Sequence, residues 1–248
     1  MGLNKTKIDW ATHSWSPITG CNHLCPYCYA RDMANRFASK LNLTYVDGVV
    51  PAHLANVPYP YGFIPTFYPH RLNDPAKLKK PAHIFCVSMG DMFGDWVPDE
   101  WITRVFIAID DNPQHTYTIL TKNPNRLLGF SELIPDNCIV GTSITGKMDD
   151  AEVGRLQALA ELSGVRKVVS LEPMLHMNDG LLRMVDDAKI DWLIIGGQTG
   201  RNPFKPKNAW IDGLIAQVSF ERGIPVFVKD NCGYPLTVRE YPDGVPHE

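Results

Sequence analysis

The sequence has little net charge, no long hydrophobic run and no second group of cysteines, and each shortage removes a class of protein. The 24 Lys and Arg against 27 Asp and Glu leave a formal net charge of −3, so no overall field draws the chain to nucleic acid or membrane. A basic patch has to come from particular residues. The longest apolar runs, DWLIIGG and PVFVKD, are strand-sized, whereas a helix needs about 20 apolar residues to cross a bilayer. The opening MGLNKTKIDWATHSW lacks the apolar core of a signal peptide, which reads as a cytoplasmic protein with no membrane partner. Disulfide scaffolds belong to short secreted chains, and a chain of 248 residues with six cysteines is not one. Cys86, Cys138 and Cys232 stand alone in or beside apolar stretches and read as small core residues.

What is present is a repeated alternation. Short β-branched or aromatic runs lie at 12–18, 83–89, 116–122, 138–144, 167–173, 191–197 and 225–230. They are nearly continuous in apolar character, as strands buried on both faces should be. Helical spacing marks 29–39, 99–110, 149–162 and 208–222, the last stopped by Gly223. Strand and helix in alternation predict a parallel sheet, and this many units favour an α/β fold of the (β/α) TIM-barrel type. With about six to seven parallel strands the barrel is incomplete, and the lateral opening so left would admit a large substrate. A doubly wound open sheet is the alternative. One domain spans 1–248, with an irregular insertion at 40–80, rich in Pro, Tyr and His, that reads as a cover over one side of the barrel mouth.

Cys21, Cys25 and Cys28 form a C-x3-C-x2-C pattern directly after the first run. Thiolates so spaced on a loop converge on one inorganic centre. Ordinary 4Fe–4S clusters take four cysteines; three leave one iron open, which is what chemistry at a metal requires. The competing reading is zinc, with His23 completing a Cys3His site, although His23 lies awkwardly between two ligands. That reading gives a zinc-stabilised nucleic-acid-binding protein without catalysis.

The pattern, with Tyr27 before the last Cys, resembles the radical S-adenosylmethionine (SAM) superfamily. The whole chain is similar to a short, phage-associated radical SAM-like family of unassigned activity, through WSPITGCNHLCPYCYA, FCVSMGDMFGDWVP, TILTKNPNRL, VVSLEPML, DWLIIGGQTG and PVFVKDNCG. The resemblance implies a 4Fe–4S cluster on Cys21, Cys25 and Cys28, whose open iron chelates SAM. A single electron, from a flavodoxin or ferredoxin, then cleaves SAM, and the resulting radical takes a hydrogen atom from the substrate. A phage-associated family implies modification of a nucleobase or nucleic acid.

Barrel enzymes keep their chemistry at the C-terminal ends of strands. Those ends carry Ser88, Gly90, Asp91, Lys122, Asn123, Ser143, Thr145, Glu172, Gln198, Lys229, Asp230 and Asn231. By resemblance, SMGD (88–91) occupies the segment that binds the SAM amino group, with backbone contact by Gly90, and Ser143 stands where the ribose is held. Ordinary turn chemistry explains both equally well. Glu172 with Lys122 and Lys229 reads either as a polar ring for SAM or substrate, or as a structural ion pair. In GGQTG (196–200), Gly197 and Gln198 allow close backbone approach to adenine or substrate, or simply a tight turn. Arg201, Lys205 and Lys207, with Phe204 among them, suit a phosphate-bearing substrate. His70, Arg71 and Tyr68 are further substrate-side candidates, while Trp15 and Trp96 read as packing residues.

Overall fold

The computed structural model describes residues 2–38, 45, 47–178, 180–200 and 202–247. In chain order the elements are β1 (Leu3–Lys5), β2 (His13–Trp15), β3 (Ile18–Thr19), α1 (Tyr29–Phe37), β4 (Thr66–Phe67), β5 (His83–Cys86), α2 (Asp99–Asp110) and β6 (Thr116–Thr121). There follow α3 (Pro124–Leu128), β7 (Cys138–Ile144), α4 (Asp150–Glu161), β8 (Arg166–Leu171), α5 (Gly180–Ala188), β9 (Trp192–Ile195), α6 (Asn208–Leu214) and β10 (Val226–Val228). Eight strands make one sheet in the order β1-β2-β5-β6-β7-β8-β9-β10. Only β1 runs antiparallel to its neighbour. The parallel sheet and its seven runs were legible in the sequence because strands covered on both faces carry few polar residues.

Helix limits follow local chemistry. Asp149 caps α4, its carboxylate accepting the Glu152 N–H at 3.1 Å, and α2 opens on Asp99 and Glu100 against the positive end of the helix dipole. The expected helix at 29–39 runs over Tyr29–Phe37, and Ser39 lies outside the described residues. That at 208–222 changes from α6 to a π-helical stretch over Ile215–Phe220 before Gly223 turns it. The first run breaks after Trp15, because Ile18 and Thr19 leave the main sheet to pair with β4. The insertion at 40–80 is thereby tied to the barrel, although 39–44 and 46 lie outside the described residues.

Two apolar layers result. The larger lies between sheet and helices, with Ile84, Ile119, Val140, Val169, Leu193 and Val226 facing it. The smaller fills the concave side, where Trp10, Ile139, Val168, Trp192, Ile194 and Phe227 pack together. Among the described residues β10 and β2 do not pair, so the barrel is open in its hydrogen bonding. Yet the lateral opening expected of it is occupied. Trp10, 2% exposed, packs against His83, Phe85 and Trp192, and Asp9 accepts the Asp230 N–H at 2.8 Å. The free edge of β10 is covered by residues 238–240, through Val228 N–H to Val238 O (2.9 Å) and Glu240 N–H to Val226 O (3.1 Å). The smaller apolar layer therefore has a lid on the side where no strand closes it.

Candidate functional site

The cysteine loop begins where β3 ends. Gly20 donates its N–H to Met89 O at 2.9 Å and has φ of 86°. A Cβ there would lie 2.4 Å from Ile64 O, so only glycine lets the loop, the insertion and the turn after β5 meet. The loop then folds on its own sulfurs. Cys21 Sγ accepts the His23 N–H at 3.5 Å, and Cys28, the N-cap of α1, accepts the Arg31 N–H at 3.4 Å.

All three thiols line one cavity of about 520 Å³. Burial pushes the Cys21 thiol up to about 12, with Asp91, Cys25 and Cys28 adding to the effect, although the His23 N–H opposes it. A thiol so raised ionises only beside a strong positive centre, and a bound metal supplies one. The donor set fits a cluster held by three cysteines with one iron open. Among the described residues no three His, Cys, Asp or Glu side chains gather round a point that would hold a metal ion.

His23 is differently occupied from the Cys3His reading. Its Nε2 lies 2.8 Å from Asp91 Oδ2. Asp91, 4% exposed, also accepts the Lys122 N–H on Oδ2 (2.8 Å), and the Thr121 hydroxyl (2.7 Å) and Phe93 N–H (3.0 Å) on Oδ1. Burial alone would raise its pKa, but these bonds outweigh it and hold the carboxyl below its ordinary value. The other three partners are all donors, so Asp91 is ionised and His23 Nε2 carries hydrogen. That nitrogen is no zinc ligand. The Asp91 carboxylate, expected to meet the cofactor, lines the cavity but has these four protein groups around it.

The opposite wall comes from the strand ends. Lys122, Ser143, Glu172, Gly197, Gln198 and Lys229 line the same cavity as Tyr27, Ser88 and Gly90. Glu172 is joined to Lys229. Lys122 makes no ion pair among the described residues and holds its Nζ 5.9 Å from the Tyr27 ring centroid. The two glycines at 196–197 answer to packing: a Cβ on Gly196 would lie 2.7 Å from the Glu172 carboxyl carbon, and one on Gly197 2.7 Å from Asn231 O. Asn231 clasps that turn, accepting the Gly197 N–H at 2.9 Å and donating to Gly197 O at 3.0 Å.

Other candidates lie elsewhere. Lys205 rests against Gly233, Lys207 lies over the Trp210 ring at 5.3 Å, and neither lines the cavity. Arg201 lies outside the described residues. Arg71 is buried, donating to Ser16 O at 2.8 Å and stacked on Tyr68 at 3.5 Å, which makes the pair packing for the base of the insertion. His70 is away from the cavity too. Trp15 and Trp96 pack, on Tyr117 and edge-on to His23. The strand-end reading passed over Ser170, which stands directly beside Ser143 in register on the neighbouring strand and lines the cavity. It also passed over Trp10 and Phe85 at the floor. A signal existed for Ser170 alone: a polar residue in an otherwise apolar run.

No curated protein matches the sequence. Among solved structures the chain is similar in fold to spore photoproduct lyase complexed with dinucleoside spore photoproduct, with a TM-score of 0.59, 13% identity, and 91% of this chain and 78% of that chain covered. It is likewise similar to a mutant of that lyase with bound AdoMet and dinucleoside spore photoproduct, with a TM-score of 0.51, 12% identity, and 87% and 62% covered. At such identity the likeness is one of fold, and it agrees with the incomplete parallel barrel described above. Over residues 5–240 the sequence matches a family model, and the chain belongs to the family described as "Protein of unknown function (DUF5131)".

Proposed function

We propose that this protein is a radical SAM enzyme, with a 4Fe–4S cluster on Cys21, Cys25 and Cys28 and a nucleobase or nucleic acid as substrate. One observation carries the reading: three thiols from one loop, with no fourth, face a cavity that continues into the concave side of the barrel. The fold it shares with a lyase solved with bound AdoMet supports it. When bound, the cluster and SAM supply one-electron cleavage of SAM and hydrogen abstraction from the substrate.

The chain's own residues bind, orient and exclude water. Lys122, free of an acidic partner among the described residues, is the cation suited to the SAM carboxylate. Ser143 and Ser170, side by side on β7 and β8, offer two hydroxyls that bond ribose or base without a charge penalty. Gly90 keeps the Cys21 loop close, since a Cβ there would lie 2.8 Å from Gly20 O, and so keeps Ser88 and the turn backbone on the cavity wall, where they would bind the SAM amino group. The Glu172–Lys229 pair and the Asn231 clasp hold Gly197 and Gln198 against the cavity. Trp10, Phe85 and Leu120 floor it with apolar surface that keeps water out.

The nucleic-acid substrate draws on the dinucleoside bound by the similar lyase, on the phage-associated resemblance, and on Lys205 and Lys207 in the loop between β9 and α6, outside the cavity. A flavodoxin or ferredoxin is the electron donor this chemistry calls for. The test is anaerobic reconstitution with iron, sulfide and zinc analysis, and electron paramagnetic resonance of the reduced protein with and without SAM. About four irons per chain, and a spectrum perturbed by SAM and lost in Cys25→Ala, are expected. A colourless protein with about one zinc and no response to SAM refutes the reading in favour of a zinc-stabilised binding protein.

A further inference from the structure

Each residue of the SMGD turn touches the segment that carries the cysteines. Ser88 O accepts the Tyr29 hydroxyl at 3.1 Å. Met89 takes the Gly20 N–H on its carbonyl at 2.9 Å and gives its own N–H to Ser16 Oγ at 3.3 Å. Gly90 bridges to Gly20, and Asp91 holds His23 at 2.8 Å. Of these contacts, only the last reaches a side chain between two of the cysteines. Three of Asp91's four partners, Phe93, Thr121 and Lys122, belong to its own turn and to the end of β6, so the carboxylate is anchored independently of His23. The loop it grips needs anchoring, because Leu24 beside His23 has φ of 55° and is 72% exposed.

We propose that the Asp91–His23 pair is a latch that holds the cysteine loop in its metal-ready shape, so that both are positioning residues for the cluster. The proposal rests on the reading of Cys21, Cys25 and Cys28 as cluster ligands. The buried carboxylate, held by its three other donors, supplies a fixed point, and the His23 ring 2.8 Å away ties the middle of the loop to it. Without that tie the loop has to be ordered by the metal itself, and loss of such outer partners typically lowers metal affinity 10–100-fold.

His23→Leu removes the donor and leaves Asp91 its other three bonds, so the fold survives. His23→Gln keeps an N–H that reaches the carboxylate, and both replacements lose the ring contact with Trp96. Two measurements on the full chain separate the latch from the cluster reading. One is iron release from the anaerobically reconstituted protein into excess EDTA. The other is iodoacetamide alkylation of Cys21, Cys25 and Cys28 in the apoprotein, followed by mass spectrometry. With apoprotein unfolding temperatures matched, His23→Leu is expected to release iron about 10–100-fold faster and to alkylate faster, while His23→Gln stays close to wild type. A Leu variant that behaves as wild type in both measurements, or a Gln variant as impaired as the Leu one, overturns the latch. Should wild type take up no iron, the cluster reading falls, and alkylation alone decides the latch.

Discussion

His83 is fully buried, with Nε2 2.7 Å from the Thr118 hydroxyl and its ring against Trp192 and Trp10, the latter lining the cavity. Burial pushes its pKa down from 6.5 to about 3; Arg166 and His247 add to this, and the Trp10 backbone opposes it. The folded ring is therefore neutral through the ordinary pH range. Below pH 6.5 the unfolded chain gains a proton on this residue that the folded chain does not. Stability then falls as pH drops, by about 1.4 kcal/mol per unit, until the folded ring also protonates. At pH 5 the loss from this residue is about 2 kcal/mol relative to pH 8, or roughly 4–8 °C in Tm for a chain of this size. The informative comparison is His83→Gln, which keeps a polar partner for Thr118 and does not titrate. Denaturant unfolding of both proteins at pH 8, 7, 6 and 5 gives the difference, in which carboxylates common to both cancel. Wild type is expected to lose about 2 kcal/mol more than the variant between pH 8 and pH 5. Parallel profiles would refute the buried, neutral histidine and with it the closed floor.

Two further outcomes follow from the site. Gly20→Ala places a Cβ 2.4 Å from Ile64 O at φ of 86°, so it is expected to destabilise the chain by about 1–3 kcal/mol and to impair iron uptake, read by denaturation and iron analysis. A change within about 0.5 kcal/mol, the range of an ordinary surface substitution, would show that the three segments meet less closely. Lys205→Ala and Lys207→Ala, both outside the cavity, are each expected to lower the salt slope of single-stranded oligonucleotide binding by about 1. They should leave the SAM-perturbed spectrum unchanged; an unaltered slope removes this loop from the nucleic-acid reading.

Much of the frame was legible because it is written locally. The runs that became β5 to β10 are apolar on both faces, and the motif Cys21, Cys25, Cys28 lies within eight residues of chain. The α2 and α4 limits follow from acidic first turns and a capping Asp149. The five-residue α3 carries too few turns to stand out by period, and β3 and β4, of two residues each, leave no alternation to read; α5 was passed over although it is as long as α1. Glu172 with Lys122 and Lys229 read equally as a polar ring or as a structural ion pair, and the structure joins Glu172 to Lys229, both at strand ends that line the cavity. Strand order left the choice of lysine open, since β6 and β10 each lie two strands from β8; packing gave the pair to Lys229 and left Lys122 with Tyr27.

The sequence by itself determined the parallel sheet, the cysteine loop after its first strand and the polar strand ends, because periodicity, capping and spacing act between residues a few positions apart. Only the tertiary structure decided that Asp91 meets His23 across 68 positions, that Trp10 and residues 238–240 close a barrel no strand closes, and that Asn231 locks Gly197. A buried carboxylate accepts whichever donors the packed backbone brings within about 3 Å, and no local pattern records which ones those will be.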